Sequence, residues 1–490
     1  MLKLLAFDYG ASSGRAILGK YDGERLVLSE VHRFPNNPVM VSGSLYWDVL
    51  RLFQEMKNGI LSCVRSGDGD ISSIGTDTWG VDFGLIGPSG ELLGNPFHYR
   101  DSRTEGMIEK ISGIVPKREI YERTGISFEK FNTLYQIFSM KESKSVFLEK
   151  ASSMLFMPDL LNYFLTGEKT TEFTIASTSQ MLDANTGNWA WSLLERLGIP
   201  ANMLGDITMP GSIVGRIRSD VCSELNVGEI PVVAVAEHDT ESAVMSIPAA
   251  GPRYAYLSSG TWSLLGVEAD KPVINDMTYK LNYSNEGGFN RKTVLLKNIM
   301  GLWIFQECKR SWDREGKVMG YDELEQIAEK SEPFKFFIDP DNDMFYSPGQ
   351  MPEKVKEFCR ITGQGVPGDK ASIVRCVMES LAMKYRSALE GLEHIIGYEI
   401  PVLHIVGGGS RNEMLNRFTA NAIKKPVTAG PAEATAIGNL ACQLVALGEV
   451  NGQEEAREIV RRSFPTREYL PAEQPQWDEA YEKYKKITGN

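Results

Sequence analysis

An apolar run, Leu4-Leu5-Ala6-Phe7, ends in Asp8 and a turn of small residues, Tyr9-Gly10-Ala11-Ser12-Ser13-Gly14, before Arg15 and a second apolar run, Ala16-Ile17-Leu18. The pattern predicts two strands joined by a hairpin whose backbone N–H groups and hydroxyls lie open to an anion. Gly10 and Gly14 are expected to take positive φ there, and Ser12, Ser13 and Arg15 to add side-chain donors. Asp8, at the strand end, is placed to order a hydrated divalent cation over the same anion. Taken alone, the segment is equally an ordinary tight hairpin whose glycines serve only the turn. Residues 254–267 repeat the plan: an apolar strand, then Ser258-Ser259-Gly260-Thr261, then a second strand. The chain therefore reads as two similar halves with two donor-rich turns that suit a polyphosphate.

Residues 230–236 read as a buried strand that runs into Glu237-His238-Asp239-Thr240-Glu241. A carboxylate at that end stands where open α/β sheets present their ligand crevices, which makes Asp239 the candidate base for a hydroxyl attacking phosphorus. Asp239 also fits as the N-cap of a helix starting near Thr240, and the two roles are compatible. Helical periodicity over 48–65 puts Leu50, Phe53, Met56, Ile60 and Leu61 on one face. A helix is expected over 134–152, another opens at Pro158 and stops near Gly167, and a third runs from Asn298 towards Trp312. The span 370–396 predicts a long amphipathic helix with Val374, Val377, Leu381, Tyr385 and Leu389 buried. Strands are expected at 73–76 and 402–406, the second running into Gly407-Gly408-Gly409 and a helix from about Asn412. Those glycines either let the backbone approach a flat or anionic ligand or only tighten the connection. Pro252 and its neighbouring glycines place a hinge near 244–253, and the polar tail from Pro465 is expected to wrap the surface.

With 490 residues the chain exceeds what one hydrophobic core usually serves, so two domains are expected. A formal net charge of −12 excludes the basic footprint that nucleic acids and anionic membranes need. An anionic ligand must then be met by local donors rather than by a positive surface. No apolar run approaches bilayer length, and the run before Asp8 is too short for a signal-peptide core, so the cytoplasm is the expected location. The six cysteines form no Cys-x-x-Cys and no metal-like spacing with the five histidines. Reduced thiols are expected, with Cys359 and Cys376, which flank a Gly/Pro-rich turn, the first pair to check for oxidation.

Seven segments in order carry a resemblance along nearly the whole chain. They are residues 8–15, Ile74-Gly75-Thr76-Asp77-Thr78-Trp79-Gly80-Val81-Asp82-Phe83, Tyr99-Arg100-Asp101-Ser102-Arg103-Thr104, His238-Asp239-Thr240, Leu257-Ser258-Ser259-Gly260-Thr261-Trp262-Ser263, Lys297-Asn298-Ile299-Met300-Gly301-Leu302-Trp303 and His404-Ile405-Val406-Gly407-Gly408-Gly409. Together they resemble the FGGY carbohydrate kinases of the actin/hexokinase/Hsp70 superfamily. The resemblance implies an α/β fold of two ribonuclease H-like (actin-like ATPase) domains with a ligand cleft between them. Residues 1–247 would form a sugar-binding domain, 248–464 a nucleotide-binding domain and 465–490 a surface tail.

It further implies ATP-dependent phosphorylation of a ketose, L-rhamnulose at O1, to give L-rhamnulose 1-phosphate and ADP in L-rhamnose catabolism. L-Fuculose or L-xylulose is the neighbouring reading, and a nucleotide switch without sugar chemistry the distant one. By the same resemblance Asp239 is the catalytic base, and Gly80, His238, Asp239, Thr240 and Asn298 bind the sugar. Ala11, Ser12, Ser13, Gly14, Arg15, Thr261, Gln306 and Gly408 would bind ATP, with Mg²⁺ held through water by Asp8. Trp79 is either a wall for the methyl group of a deoxy sugar or core packing. Glu237 stands where relatives often carry a small or neutral residue, and either tunes the base or points away from it. The expected partners are the sugar and ATP, with no nucleic acid and no membrane, and the chain is a monomer or small homo-oligomer.

Overall fold

The strand Leu2–Tyr9 is buried from Leu4 onward, on both faces, because each face of its sheet is covered by a helix. On one side lies Val49–Arg65, where a Cβ added at Gly59 would stand 2.7 Å from the Phe7 ring. On the other lies Ala434–Ala446, whose Gln443 amide donates to the Leu5 carbonyl at 3.1 Å. The computed structural model describes residues 1–316 and 318–489.

The described chain divides into two compact units, and neither is one continuous stretch. Unit 1 consists of Met1–Pro248, Glu268–Leu295 and Ala434–Phe464; unit 2 consists of Ala249–Val267, Leu296–Glu433 and the stretch from Pro465 on. The division therefore differs from an uninterrupted second domain over 248–464. Small residues are the reason: a Cβ at Gly438 would lie 1.6 Å from the Ser242 carbonyl oxygen, so two helix backbones meet there. The C-terminal stretch is largely exposed but anchored at two places. Arg467–Tyr469 pairs with Val427–Ala429, and Gln474–Thr488 buries Trp477, Ala480, Tyr481 and Tyr484 along one face.

In unit 1 the sheet order is Ser212–Arg216, Pro231–Ala234, Ser73–Thr78, Leu2–Tyr9, Ser13–Tyr21, Leu26–Pro35. The second, third and fourth of these strands are mutually parallel, with Asp8 opposite Asp77 and Val233 opposite Gly75. In unit 2 Ala255–Ser259 pairs antiparallel with Trp262–Ala269 and parallel with Leu403–Val406, which pairs parallel with Val427–Ala429. The hairpin followed by a parallel neighbour thus occurs in both units, as the repeated sequence plan suggested.

Three helix expectations shift. Val49–Arg65 buries Met56 and Ile60 and packs Phe53 and Leu61 against the same core as expected, but Leu50 is 60% exposed, and Val49, Leu52 and Cys63 are buried in addition. The span 134–152 forms two helices, Thr133–Glu142 and Val146–Lys150, interrupted at Lys144 with φ 52°. Asn298 lies on the strand Thr293–Met300, and the helix begins only at Trp303 because the run Thr-Val-Leu-Leu pairs into a sheet. Lys370–Ile396 matches its expectation: all five named side chains are buried, Asp369 and Ser372 form a capping box, and left-handed Gly397 stops the helix.

All six cysteines are free thiols. Burial, and then its neighbour Cys359, push the Cys376 thiol well up, which suppresses its reactive thiolate. Among the described residues, no helix is long and apolar enough to cross a membrane.

Candidate active site

In unit 1 three parallel strands end on carboxylates or lead into them. Asp8 is 4% exposed, and its Oδ2 accepts from Arg15 Nη2 at 2.7 Å. Asp77 lies opposite it in register and accepts from Asn439 Nδ2 at 2.7 Å through Oδ2, while its buried Oδ1 has no hydrogen-bond partner. Burial first, then the charges of Asp8 and Asp239, push the Asp77 carboxyl well above the usual range, with Asn439 opposing them.

The third acid, Asp239, opens the helix Asp239–Met245, with His238 rather than Asp239 as its N-cap residue. Its side chain keeps 34% exposure, so it remains open to a ligand. Partial burial raises its pKa, His238 opposes that shift, and Asp8 adds to it. Thr240 Oγ1 donates to Asp239 Oδ1 at 3.2 Å.

The loop before the helix is pinned by hydrogen bonds at successive peptide groups. The Thr78 N–H donates to the Glu237 carbonyl at 2.9 Å, the Glu237 N–H to Glu172 Oε2 at 3.3 Å, and the His238 N–H to Thr174 Oγ1 at 3.2 Å. Glu172 in turn accepts from Thr174 N–H, Thr174 Oγ1 and Ile175 N–H, which caps the short helix Phe173–Ser177. Full burial still lifts Glu172 to about 7. Glu237 is tied to another element: Oε1 accepts from Asn162 Nδ2 at 2.8 Å, and burial with Asp159 and Glu172 nearby keeps its pKa well up.

His238 stands between two carboxylates, with Nδ1 3.1 Å from Glu286 Oε2 and Nε2 3.5 Å from Asp239 Oδ1. Among the described residues, His238, Glu241 and Glu286 are the one trio whose ligand atoms lie within the 4.8 Å mutual spacing that a metal ion needs. The His238–Glu286 contact is nevertheless at direct ion-pair distance.

Gly80 packs on Thr178, which a Cβ would approach to 3.2 Å, and the next residue, Val81, holds φ 70°. For a β-branched residue that backbone is strained. Thr178 Oγ1 accepts the Val81 N–H, and Thr133 Oγ1 donates to the Val81 carbonyl, so both ends of the strained peptide are held. Trp79 is core: its ring lies 4.0 Å from that of Trp47, and both indole N–H groups donate to Asp82 Oδ2. Burial raises the Asp82 carboxyl to about 6 against the pull of Trp47, Gln136 and Trp79.

The first hairpin turn differs from its expected backbone. Gly10 and Gly14 do not take positive φ. Gly14 is required because a Cβ there would stand 2.2 Å from the Phe34 ring. Gly10 N–H donates to the Ser13 carbonyl at 3.0 Å, and Asn36 Nδ2 donates to the Gly10 carbonyl at 2.9 Å, which leaves the Ser12 side chain outward. Ala11, Ser13 and Arg15 are half-buried beside it.

In unit 2, Thr261 Oγ1 donates to Gln306 Oε1 at 3.3 Å, joining two of the expected nucleotide residues. Gly407, at φ 82°, and Gly409 press against Ser259; a Cβ at Gly409 would fall 2.0 Å from its Oγ. Gly408 between them meets nothing within 4 Å and faces open space. Asn298 is half-buried on its strand.

Unit 1 thus carries Asp8, residues 11–15, Gly80, His238, Asp239 and Thr240, and unit 2 carries Thr261, Asn298, Gln306 and Gly408. Sequence reasoning missed Asp77, Glu172 and Glu286. Asp77 was in view only as part of the family-like segment 74–83, and no spacing pointed to the other two.

The N-terminal domain profile of the FGGY family of carbohydrate kinases matches residues 3–246, and its C-terminal domain profile matches 255–447. The chain is 45% identical over 480 residues to a rhamnulokinase of Bacteroides thetaiotaomicron, covering 98% of each chain. It is 42% identical to a rhamnulokinase of Oceanobacillus iheyensis, covering 94% of this chain and 96% of that one. Among solved structures, a xylulose kinase from Lactobacillus acidophilus superposes with TM-score 0.83 at 16% identity, over 99% of this chain and 98% of that one. Plasmodium falciparum glycerol kinase with ADP superposes with TM-score 0.80 at 18% identity, over 100% and 98%. The chain belongs to the FGGY family of carbohydrate kinases.

Proposed function

We propose that this protein transfers the γ-phosphoryl group of ATP to O1 of L-rhamnulose, giving L-rhamnulose 1-phosphate and ADP in cytoplasmic L-rhamnose breakdown. The observation that carries the reading is identity of 45% sustained over 98% of both chains with a protein that bears the name rhamnulokinase. The site chemistry supports it. Asp239, exposed on one side and held at a helix start, accepts the proton of the sugar hydroxyl as its oxygen attacks the γ-phosphorus and the bond to the ADP oxygen breaks. Gly80, His238, Thr240 and Asn298 supply fixed polar contacts to the polyol, because each buried hydroxyl left unpaired costs about 1 to 3 kcal/mol.

For ATP, the turn 11–15 and Thr261 hold phosphate oxygens, Gln306 orients Thr261, and the open backbone at Gly408 accepts the flat adenosine. Asp8, beside Asp77 with its unpartnered buried oxygen, forms an oxygen-only acidic donor set that fits a hard divalent cation such as Mg²⁺, held by Asp8 through water. When bound, that ion neutralises charge on the phosphates. Residues 1–248 then carry most of the sugar-side contacts, and unit 2 the nucleoside side.

A coupled ADP-release assay on L-rhamnulose, L-fuculose and L-xylulose tests the reading. We expect the highest kcat/KM on L-rhamnulose; a higher value on either other ketose moves the substrate, and silence on all three removes the kinase.

A further inference from the structure

Glu286 belongs to the segment Glu268–Leu295, which comes from the second half of the sequence yet packs into unit 1, and it has no task in the reading above. It is 5% exposed, on the strand Ser284–Gly287, with Oε2 3.1 Å from His238 Nδ1. The far nitrogen of the same ring, Nε2, lies 3.5 Å from Asp239 Oδ1. The backbone of His238 is already fixed, its N–H on Thr174 and its bridge partner Thr78 on the neighbouring strand, so what remains free is the torsion of the ring. A buried carboxylate at ion-pair distance restricts that torsion through charge rather than through a hydrogen bond, since Nδ1 and Oε2 each lack a hydrogen-bond partner.

We propose that Glu286 is a positioning residue for phosphoryl transfer: it anchors the Nδ1 side of His238 and thereby aims Nε2 at Asp239 and at the sugar hydroxyl bound beside it. The proposal rests on the sugar-kinase reading of this site. Burial works against a proton on the ring, but Glu286 and then Asp239 outweigh it and hold the His238 pKa up. Glu241, the third acid near the ring, is 2% exposed with neither oxygen hydrogen-bonded, and burial and the charge of Glu286 keep its pKa well up. Glu172, on the backbone side of the loop, acts on peptide groups rather than on the ring.

Full-length Glu286→Ala and Glu286→Gln proteins test this with steady-state kinetics and ¹⁵N spectra of labelled histidine. The His238 signal is assigned by its loss in His238→Asn. In Glu286→Ala we expect KM for L-rhamnulose to rise about tenfold and kcat to fall about tenfold, with KM for ATP within a factor of two. The His238 nitrogen signals should shift. Glu286→Gln keeps the size of the side chain but removes its charge, and should reproduce the KM rise and the changed His238 signal with an unchanged melting temperature. Unchanged kinetics and an unchanged His238 signal in Glu286→Ala overturn the proposal. So do equal losses for sugar and ATP together with a lowered melting temperature, which mark a merely structural role. A stoichiometric metal ion found at His238 and Glu286 by anomalous scattering also overturns it. If the wild-type protein phosphorylates no ketose, the substrate reading fails separately, while the nitrogen spectra still decide whether Glu286 holds the ring.

Discussion

In unit 1 the strand Leu2–Tyr9 brings Asp8 to its end, with Asp77 beside it on the parallel neighbour and the charge of Asp239 near both. In unit 2 the matching strand, Ala255–Ser259, ends on serines, and its surroundings offer Thr261, Gln306 and three glycines. The backbone plan is the same: a hairpin on one side, a parallel strand on the other. The chemistry is opposite. One end gathers acids, and burial raises the pKa of Asp77 and Asp239, which suits accepting a proton and facing a cation. The other is uncharged and closely packed, which suits holding a ligand by backbone approach and neutral hydrogen bonds. Duplicate topology therefore supplies two platforms, and the side chains at the strand ends make them chemically different.

The contrast breaks most sharply at the proposed base. Asp239→Asn should cut kcat at least about 100-fold while leaving the circular dichroism spectrum and sugar binding by calorimetry intact; near-normal turnover would take the acid end out of the chemistry. Next comes Gly409→Ala, where the new methyl meets Ser259. Overpacking of about 1 to 3 kcal/mol should raise KM for ATP about tenfold or more with KM for sugar unchanged, and an equal rise for sugar would erase the distinction between the two ends. Thr261→Ala removes one neutral hydrogen bond to Gln306 and should raise KM for ATP a few fold, as about 1 kcal/mol allows.

The smallest effect sharpens the comparison through stability. Glu172 at about 7 and Asp82 at about 6 are carboxyls raised above their unfolded values, so the folded protein binds more protons than the unfolded chain at pH between those limits. His238, also raised, adds in the same direction. Stability is then lost as pH rises through the folded values. Melting followed by calorimetry should give a midpoint a few degrees higher at pH 6.5 than at pH 8.5. A rise in the midpoint over that range would mean that the buried acids of unit 1 are ionised without penalty. The lowered pKa of His98, about 3, works the other way only below its unfolded value near 6.5.

How far the sequence foretold this division depends on whether neighbours in space were also neighbours in chain. The two hairpins were legible because alternation and small residues are local, and so was Lys370–Ile396, whose period and cap lie within one segment. Asp239 was legible from its place after a buried strand. The exposure of Leu50 on Val49–Arg65 was not, since Leu50 and Leu52 are equally apolar and only packing selects between them. The requirement for Gly14 was misread as a backbone one because Phe34, the ring that excludes a Cβ, lies on another strand. Trp79 was undecided between ligand and core until Trp47 and Asp82 accounted for its ring and its N–H. Glu172 and Glu286 were invisible, because their partners at 237 and 238 are far away in sequence and no motif marks such pairs.

The helix Ala434–Ala446 touches the acid end of unit 1 at two points, with Gly438 against Ser242 and Asn439 bonded to Asp77. A ribosome delivers that helix long after Asp8, Asp77 and Asp239 have emerged. The nascent N-terminal half must wait with one side of its central sheet uncovered, and a fragment ending at Pro248 would leave Asp77 without its amide partner. Synthesis through Ala446 is thus a condition for the first unit to close, which ties the appearance of the acid end to a segment whose Asn439 comes 362 residues after Asp77.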